Sequence, residues 1–270
     1  MSAMRNLRGF AALSAAALTA LTVLAGCAGE EDTSAPEARP EVERLRLAVM
    51  GEEPHDPAAF TQGFEMAGPA LYETTGIVDE SQLRELDPAT GAVRRSVPLP
   101  GPYFGEGMTV VGDRIWQVTW RDGVAIEWDI ATFTPKREVA FEGEGWGVCN
   151  DGARIIHSDG TDQLRFYDPA DYNQIGSVSV TDANGYPVKG LNELECVDGQ
   201  VWANVFPTDE IVRIDPESGA MTASVDGSVL RRGQPARNVL NGIAHVEGNE
   251  FLMTGKNWPT TYRVRLEPAG

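Results

Sequence analysis

The chain has 270 residues, and its 40 acidic side chains against 22 basic ones leave a net charge of −18. A field of that sign repels phosphate backbones and anionic lipid headgroups, which argues against a nucleic-acid partner and against charge-driven membrane binding. It leaves room for cationic ligands, such as a peptide with a free α-ammonium group. No CxxC pair occurs, and His55, His157 and His245 are scattered, so a zinc site has no support.

The first segment does not belong to a fold. Arg5 and Arg8 precede an apolar stretch from Phe10 to Leu24, and Leu24-Ala25-Gly26-Cys27 follows. That is the pattern of a bacterial lipoprotein signal, residues 1–26, with Cys27 as the lipidated new N-terminus. An uncleaved transmembrane helix is the weaker reading, because the apolar run is shorter than the roughly 20 residues a span needs. Residues 27–42 are rich in Pro, Ala and acid and read as a flexible tether. The expected location is extracytoplasmic, with a single domain of residues 43–270 lipid-anchored to the cell membrane.

Within that domain a strand pattern runs five times into the same kind of turn: LRELDPATG from Leu83, AIEWDIATF from Ala125, LRFYDPADY from Leu164, IVRIDPESG from Ile211 and YRVRLEPAG from Tyr262. The copies recur at intervals of roughly 40–50 residues, which predicts an all-β, five-bladed β-propeller with one four-stranded blade per copy. The acidic residues Asp87, Asp129, Asp168, Asp215 and Glu267 mark the turns, where aspartates are expected to satisfy backbone amides. First strands are predicted at Phe60, Phe104, Gly145, Leu191 and Leu240. Second strands are predicted at Ala70, Arg114, Arg154, Gln200 and Glu250. The segment after each turn supplies a fourth strand, except in the last copy. The alternating stretch Glu43–Val49 is expected to close that last blade as its outermost strand, removing an open edge.

In a meander the start of the first strand and the end of the second share one edge of the sheet. The strand openers Phe60, Gln62, Glu106, Trp146, Asn192 and Asn241 should therefore meet at one mouth. The second-strand ends Thr75, Trp120, Asp159, Phe206 and Lys256, with Trp258, should meet them there. Trp116, Trp128 and Trp202 fall mid-strand and read as packing; Trp120, Trp146 and Trp258 stay open between packing and ligand contact. Glu106, set between Gly105 and Gly107, should have its pKa raised by desolvation, which suits proton transfer. Glu144, Glu193 and Glu195 compete with it for that role. Cys149 and Cys196 sit at matching places in neighbouring repeats and read as two buried thiols, with a disulfide as the alternative.

These residues lie in stretches that closely resemble the glutaminyl-peptide cyclotransferases of the plant and bacterial type. The matches include HDPAAFTQGF from His55, YFGEGMTV from Tyr103, GEGWGVCNDG from Gly143, LNELECVDGQVWANVF from Leu191, LNGIAH from Leu240 and TGKNWP from Thr254. They cover essentially the whole domain in order. The resemblance implies a five-bladed propeller that converts N-terminal Gln of peptides or proteins to pyroglutamate with release of ammonia. It implies that Glu106 is the catalytic glutamate and that Asn192 and Lys256 bind the substrate's carbonyl groups or the developing oxyanion. Phe60, Gln62, Trp120 and Trp146 match positions that line the family's pocket. Phe206 departs from the tryptophan common in relatives, which keeps an aromatic wall but loses an indole donor. Trp258 and Asn241 complete the expected lining. No cofactor is expected for the chemistry, a structural calcium ion in the channel stays open, and the domain is expected to be a monomer. Two other readings stand beside this one: a non-catalytic cell-surface propeller that only binds a partner, and a calcium-dependent lactonase or sugar-processing propeller. The second needs several carboxylate or amide oxygens around one ion, whereas this mouth has one acid, a lysine and aromatics.

Overall fold

The computed structural model describes residues 41–270, which are almost wholly β. The expected signal segment, the lipidation site Cys27 and the tether up to residue 40 lie outside the described residues.

β1 (Glu43–Pro54) opens the domain, and β2 (Thr61–Ala67), β3 (Ala70–Thr75), β4 (Gln82–Leu86) and β5 (Val93–Pro98) form a four-stranded antiparallel sheet. The pattern repeats in β6 (Gly105–Val111), β7 (Arg114–Thr119), β8 (Val124–Asp129) and β9 (Thr134–Ala140). It repeats again in β10 (Val148–Asn150), β11 (Ile155–Ser158), β12 (Gln163–Tyr167) and β13 (Gln174–Ser179). A further unit comprises β14 (Leu191–Val197), β15 (Gln200–Val205), β16 (Glu210–Ile214) and β17 (Met221–Asp226). After the short helix α1 (Ser228–Arg231) come β18 (Leu240–Glu247), β19 (Glu250–Gly255) and β20 (Thr260–Pro268).

β1 pairs antiparallel with β20 from Leu45 opposite Pro268 to Pro54 opposite Thr260, and so supplies the strand that the last unit lacks. It also runs parallel to β17 over Glu43–Leu45, which fuses the last two units into one eight-stranded sheet. The repeat pattern did not anticipate that fusion.

The sequence explains which strand goes where. β3 and β7 are buried almost throughout and present apolar side chains on both faces, whereas β5 and β9 are largely exposed. Those outer strands carry Arg94, Arg95, Lys136 and Arg137, and charge on an edge discourages pairing with other chains. Each turn aspartate accepts backbone N–H groups, as at Asp87 from Ala89 and Thr90 and at Asp215 from Glu217. Glu267 is different: it lies within β20 and pairs with Arg46 instead of capping a turn. Apolar layers fill the space between sheets, for example Ile156 and Phe166 of the third unit against Leu194 and Val212 of the fourth. Trp116, Trp128 and Trp202 are buried in such layers.

Reading Cys149 and Cys196 as separate thiols was wrong: they form a disulfide, with a Cα–Cα distance of 5.4 Å. The cause is the crowding of neighbouring inner strands, which brings β10 and β14 within the span a disulfide can bridge. The bond closes a loop with a sequence separation of 47 residues, so chain entropy alone assigns it about 4 kcal/mol. Replacing both cysteines with alanine is expected to lower the melting temperature by roughly 8–16 °C while the folded spectrum persists. A thermal melt that coincides with wild type would contradict this assignment.

Candidate active site

The inner strands share a local irregularity. Antiparallel register slips between Thr61 and Gly63, between Gly105 and Met108, between Leu191 and Leu194, and between Leu240 and Ile243. Gln62, Glu106, Asn192 and Asn241 occupy these bulges, and a bulge re-aims the side chain it carries. Trp146 takes the matching place just before β10. The residue after each is glycine, apart from Glu193. At Gly147 a Cβ would lie 1.9 Å from the carbonyl oxygen of Asn192, and at Gly107 it would lie 2.6 Å from that of Trp146. No larger residue fits where the strands approach this closely.

Beside these bulges lies a cavity of about 340 Å³. It brings together Phe60, Gln62, Glu106, Trp120, Trp146, Asn192, Phe206 and Lys256, and adds Phe104 and Arg237, which sequence reasoning missed. Glu106 is only 5% exposed, and its Oε1 accepts a 2.9 Å hydrogen bond from Nε2 of Gln62. The Gln62 Oε1 accepts in turn from Nδ2 of Asn241 at 3.1 Å, and that same nitrogen donates to the Thr61 carbonyl at 2.9 Å. Asn241 thus lies behind the cavity and turns the Gln62 amide so that its NH2 faces Glu106. Thr74 steadies the bulge from below by donating to the Glu106 carbonyl at 2.7 Å.

Burial pushes the Glu106 carboxyl well above the ordinary carboxylate range; the Lys256 ammonium pulls it back, and the more distant Glu144 adds a smaller upward push. Lys256 is itself depressed by burial and supported by Glu106. Its Nζ lies 5.0 Å from the ring centre of Phe60 and 5.5 Å from that of Phe206, so aromatic faces hold the cation. Among the described residues Lys256 makes no ion pair, and it interacts with Glu106 through space. Asn192 is buried, and its Oδ1 has no hydrogen-bond partner within the described protein.

The walls are aromatic. Phe104 packs edge-on between Phe60 and Trp120, at 6.0 and 5.4 Å between ring centres, and Trp146 meets Phe206 at 5.7 Å. Glu144 braces two of these walls: its Oε2 accepts from the indole N–H of Trp120 at 2.8 Å and of Trp146 at 3.0 Å. Arg121 donates to its Oε1 at 2.9 Å and stacks on the Trp120 ring. Burial works to raise the Glu144 pKa, but these donors outweigh it and hold the group below its usual value.

Trp258 does not reach the mouth. Asn257 adopts a left-handed conformation, φ 59°, that folds the chain back, and the indole packs under Gly255 and donates to the Asn238 carbonyl at 2.8 Å. Asp159 faces Arg165 and the Thr161 turn, so it has a structural partner. The competing glutamates are also occupied elsewhere. Glu193 accepts the backbone N–H groups of Phe64 and Ile243, and Glu195 that of His245. With Glu65 they gather carboxyls in the channel, yet among the described residues no three His, Cys, Asp or Glu side chains form a metal-ligand set. Phe104 and Glu144 were legible in principle, since each stands two residues before its bulge or opener, as Phe60 does before Gln62.

The family model described as glutamine cyclotransferase matches residues 17–266. Glutaminyl-peptide cyclotransferase of Arabidopsis thaliana is 36% identical over 236 residues, which cover 83% of this chain and 72% of the plant protein. The crystal structure of Myxococcus xanthus glutaminyl cyclase superposes with a TM-score of 0.80 at 34% identity, covering 85% of this chain and all of the other.

The electrostatics of the pair are open to direct test. Because the Lys256 charge lowers the Glu106 pKa, Lys256→Met should move it further up. Infrared titration of the carboxyl band, assigned by its loss in Glu106→Gln, reads the shift; an unmoved or downward shift would contradict the coupling.

Proposed function

The chain belongs to the glutamine cyclotransferase family, and we propose that it cyclises the N-terminal Gln of peptides or proteins to pyroglutamate, releasing ammonia. The single observation that carries the reading is a buried, raised-pKa carboxylate facing a buried ammonium inside an aromatic cavity, at the position where the family motif YFGEGMTV places its glutamate.

The reaction is an intramolecular acyl transfer. The α-nitrogen attacks the γ-carboxamide carbon, a tetrahedral intermediate forms, and the bond to the amide nitrogen breaks. Glu106 takes a proton from the attacking amine and delivers it to the departing nitrogen, which leaves as ammonia. A carboxyl whose pKa burial has raised well above the ordinary carboxylate range is suited to both. Lys256 stabilises the developing oxyanion, and its own burial strengthens that interaction. The Asn192 amide, with one end unpartnered, takes up an N–H of the bound Gln. Gln62, oriented by Asn241, holds Glu106 in register. The aromatic walls fold the Gln side chain back on its own amine, so proximity supplies part of the acceleration. The donor set of one carboxylate, neutral amides and two cations suits proton transfer and oxyanion binding rather than coordination of a divalent ion.

We read the five units as blades of one closed ring, with β1 as the outer strand of the last blade. Contacts between inner strands support this, including the Asn241–Thr61 bond that joins β18 to β2. Charged outer strands support a monomer. The signal pattern ending at Cys27 and the Cys149–Cys196 disulfide support an extracytoplasmic, lipid-anchored protein.

Purified protein incubated with a Gln-initiated peptide in chelator-containing buffer is expected to release ammonia and block the peptide's N-terminus. Glu106→Gln should lower kcat/KM by about 100-fold or more with an unchanged fold. Turnover no faster than the spontaneous reaction would refute the activity, and an unimpaired Glu106→Gln enzyme would refute the residue's role. In a bacterial host the full chain should partition with membranes, and Cys27→Ser should release it; equal membrane partitioning of both forms would count against the lipid anchor.

A further inference from the structure

The longest connection between two units, residues 227–239, runs from β17 through α1 to β18 and carries Arg237 to the rim of the cavity. Its backbone is braced on both sides of that residue. Arg231 grips the Asp209 carboxylate, Nε to Oδ2 at 2.7 Å and Nη2 to Oδ1 at 2.5 Å. Its remaining nitrogen, Nη1, donates to the carbonyls of Pro235 and Ala236 at 3.5 and 3.3 Å. Beyond Arg237 the Asn238 carbonyl accepts from the Trp258 indole, and the Val239 carbonyl accepts from Lys256 N–H at 2.9 Å. The buried Trp258 therefore acts as an anchor for this loop rather than as a pocket wall.

Arg237 is exposed, lines the cavity and, among the described residues, forms no ion pair. The other arginine beside the mouth is compensated: Arg121 is paired with Glu144 and stacked on Trp120. An uncompensated guanidinium on a braced loop is conspicuous in a chain of net charge −18. On the reading that the N-terminal Gln fills the cavity, the rest of the peptide must leave past this rim. The residue after Gln then passes Arg237.

We propose that Arg237 is a specificity-determining residue that selects for a carboxylate on the residue following the N-terminal Gln. The inference rests on the cyclisation reading. A guanidinium binds a carboxylate through parallel N–H donors, and a rim position makes the pairing solvent-exposed and salt-sensitive. The carboxylate has two sources, an acidic side chain at the second position or the free C-terminus of a dipeptide.

The test compares kcat/KM for four amide-capped or free peptides differing in that charge: Gln-Glu-amide against its neutral isostere Gln-Gln-amide, and Gln-Ala as free acid against Gln-Ala-amide. Wild type is expected to favour the carboxylate member of at least one pair by roughly three- to ten-fold at low ionic strength, with the preference shrinking in salt. The pair that responds identifies the source. Arg237→Glu should reverse the preference and Arg237→Lys should keep part of it, a pattern that loss of loop structure would not give. Equal rates within each pair for wild type, or an unchanged ratio in Arg237→Glu, would overturn the inference while the cyclisation reading stands. No turnover of any Gln peptide by wild type would overturn both.

Discussion

The site depends on how closely the inner strands approach one another. Where β6, β10 and β14 meet, a single methyl group on Gly147 would lie 1.9 Å from the Asn192 carbonyl oxygen, far inside van der Waals contact. Gly107 N–H bonds to the Trp146 carbonyl at 2.7 Å, and Ser158 Oγ to the Asn192 carbonyl at 2.6 Å, so backbone meets backbone or a short hydroxyl. At this radius each unit has room for one functional side chain, and the bulge turns that side chain toward the mouth. Glycine beside it is the condition for the packing. The exception, Glu193, sends its carboxylate into the channel and ties β14 to Phe64 of β2 and Ile243 of β18.

From that geometry the electrostatics follow. Five side chains of four kinds, Gln62, Glu106, Trp146, Asn192 and Asn241, line up on the inner strands, and the carboxyl buried there is pushed toward its protonated form. Lys256, just past the end of β19, is a buried cation that opposes that push, and aromatic faces accommodate it. A second layer keeps the first in place: Asn241 orients Gln62, Glu144 ties two indoles together, and Thr74 holds the bulged backbone. These groups act through the residues they position.

Much of this could be read from the chain. The aspartate turns recur because an Asp side chain can cap its own turn, and their spacing alone aligns Gln62, Glu106, Trp146, Asn192 and Asn241. That spacing failed where three-dimensional detail overrode it. Glu267 occupies the turn position but is drawn into β20 by its pairing with β1 and Arg46. Trp258 follows Lys256 closely, yet the left-handed Asn257 reverses the chain and buries the ring. Cys149 and Cys196 sit one register position apart, opposite Ile156 and Val201, and only the close approach of the inner strands, 5.4 Å between their Cα atoms, shows that they can bond. Arg237 lies outside the repeat, in a connection whose path depends on the Arg231–Asp209 pair, so no periodicity could point to it.

The central claim is that the bulge ring presents Glu106, Asn192 and Lys256 to one substrate glutamine. A crystal structure with a non-cyclising N-terminal Gln analogue tests it most directly. The account requires the analogue's α-nitrogen within hydrogen-bond distance of the Glu106 carboxylate, its γ-carbonyl oxygen directed at the Lys256 ammonium, and one of its N–H groups on the Asn192 Oδ1. An analogue seated with its amine turned away from Glu106, or bound outside the aromatic cavity, would contradict it.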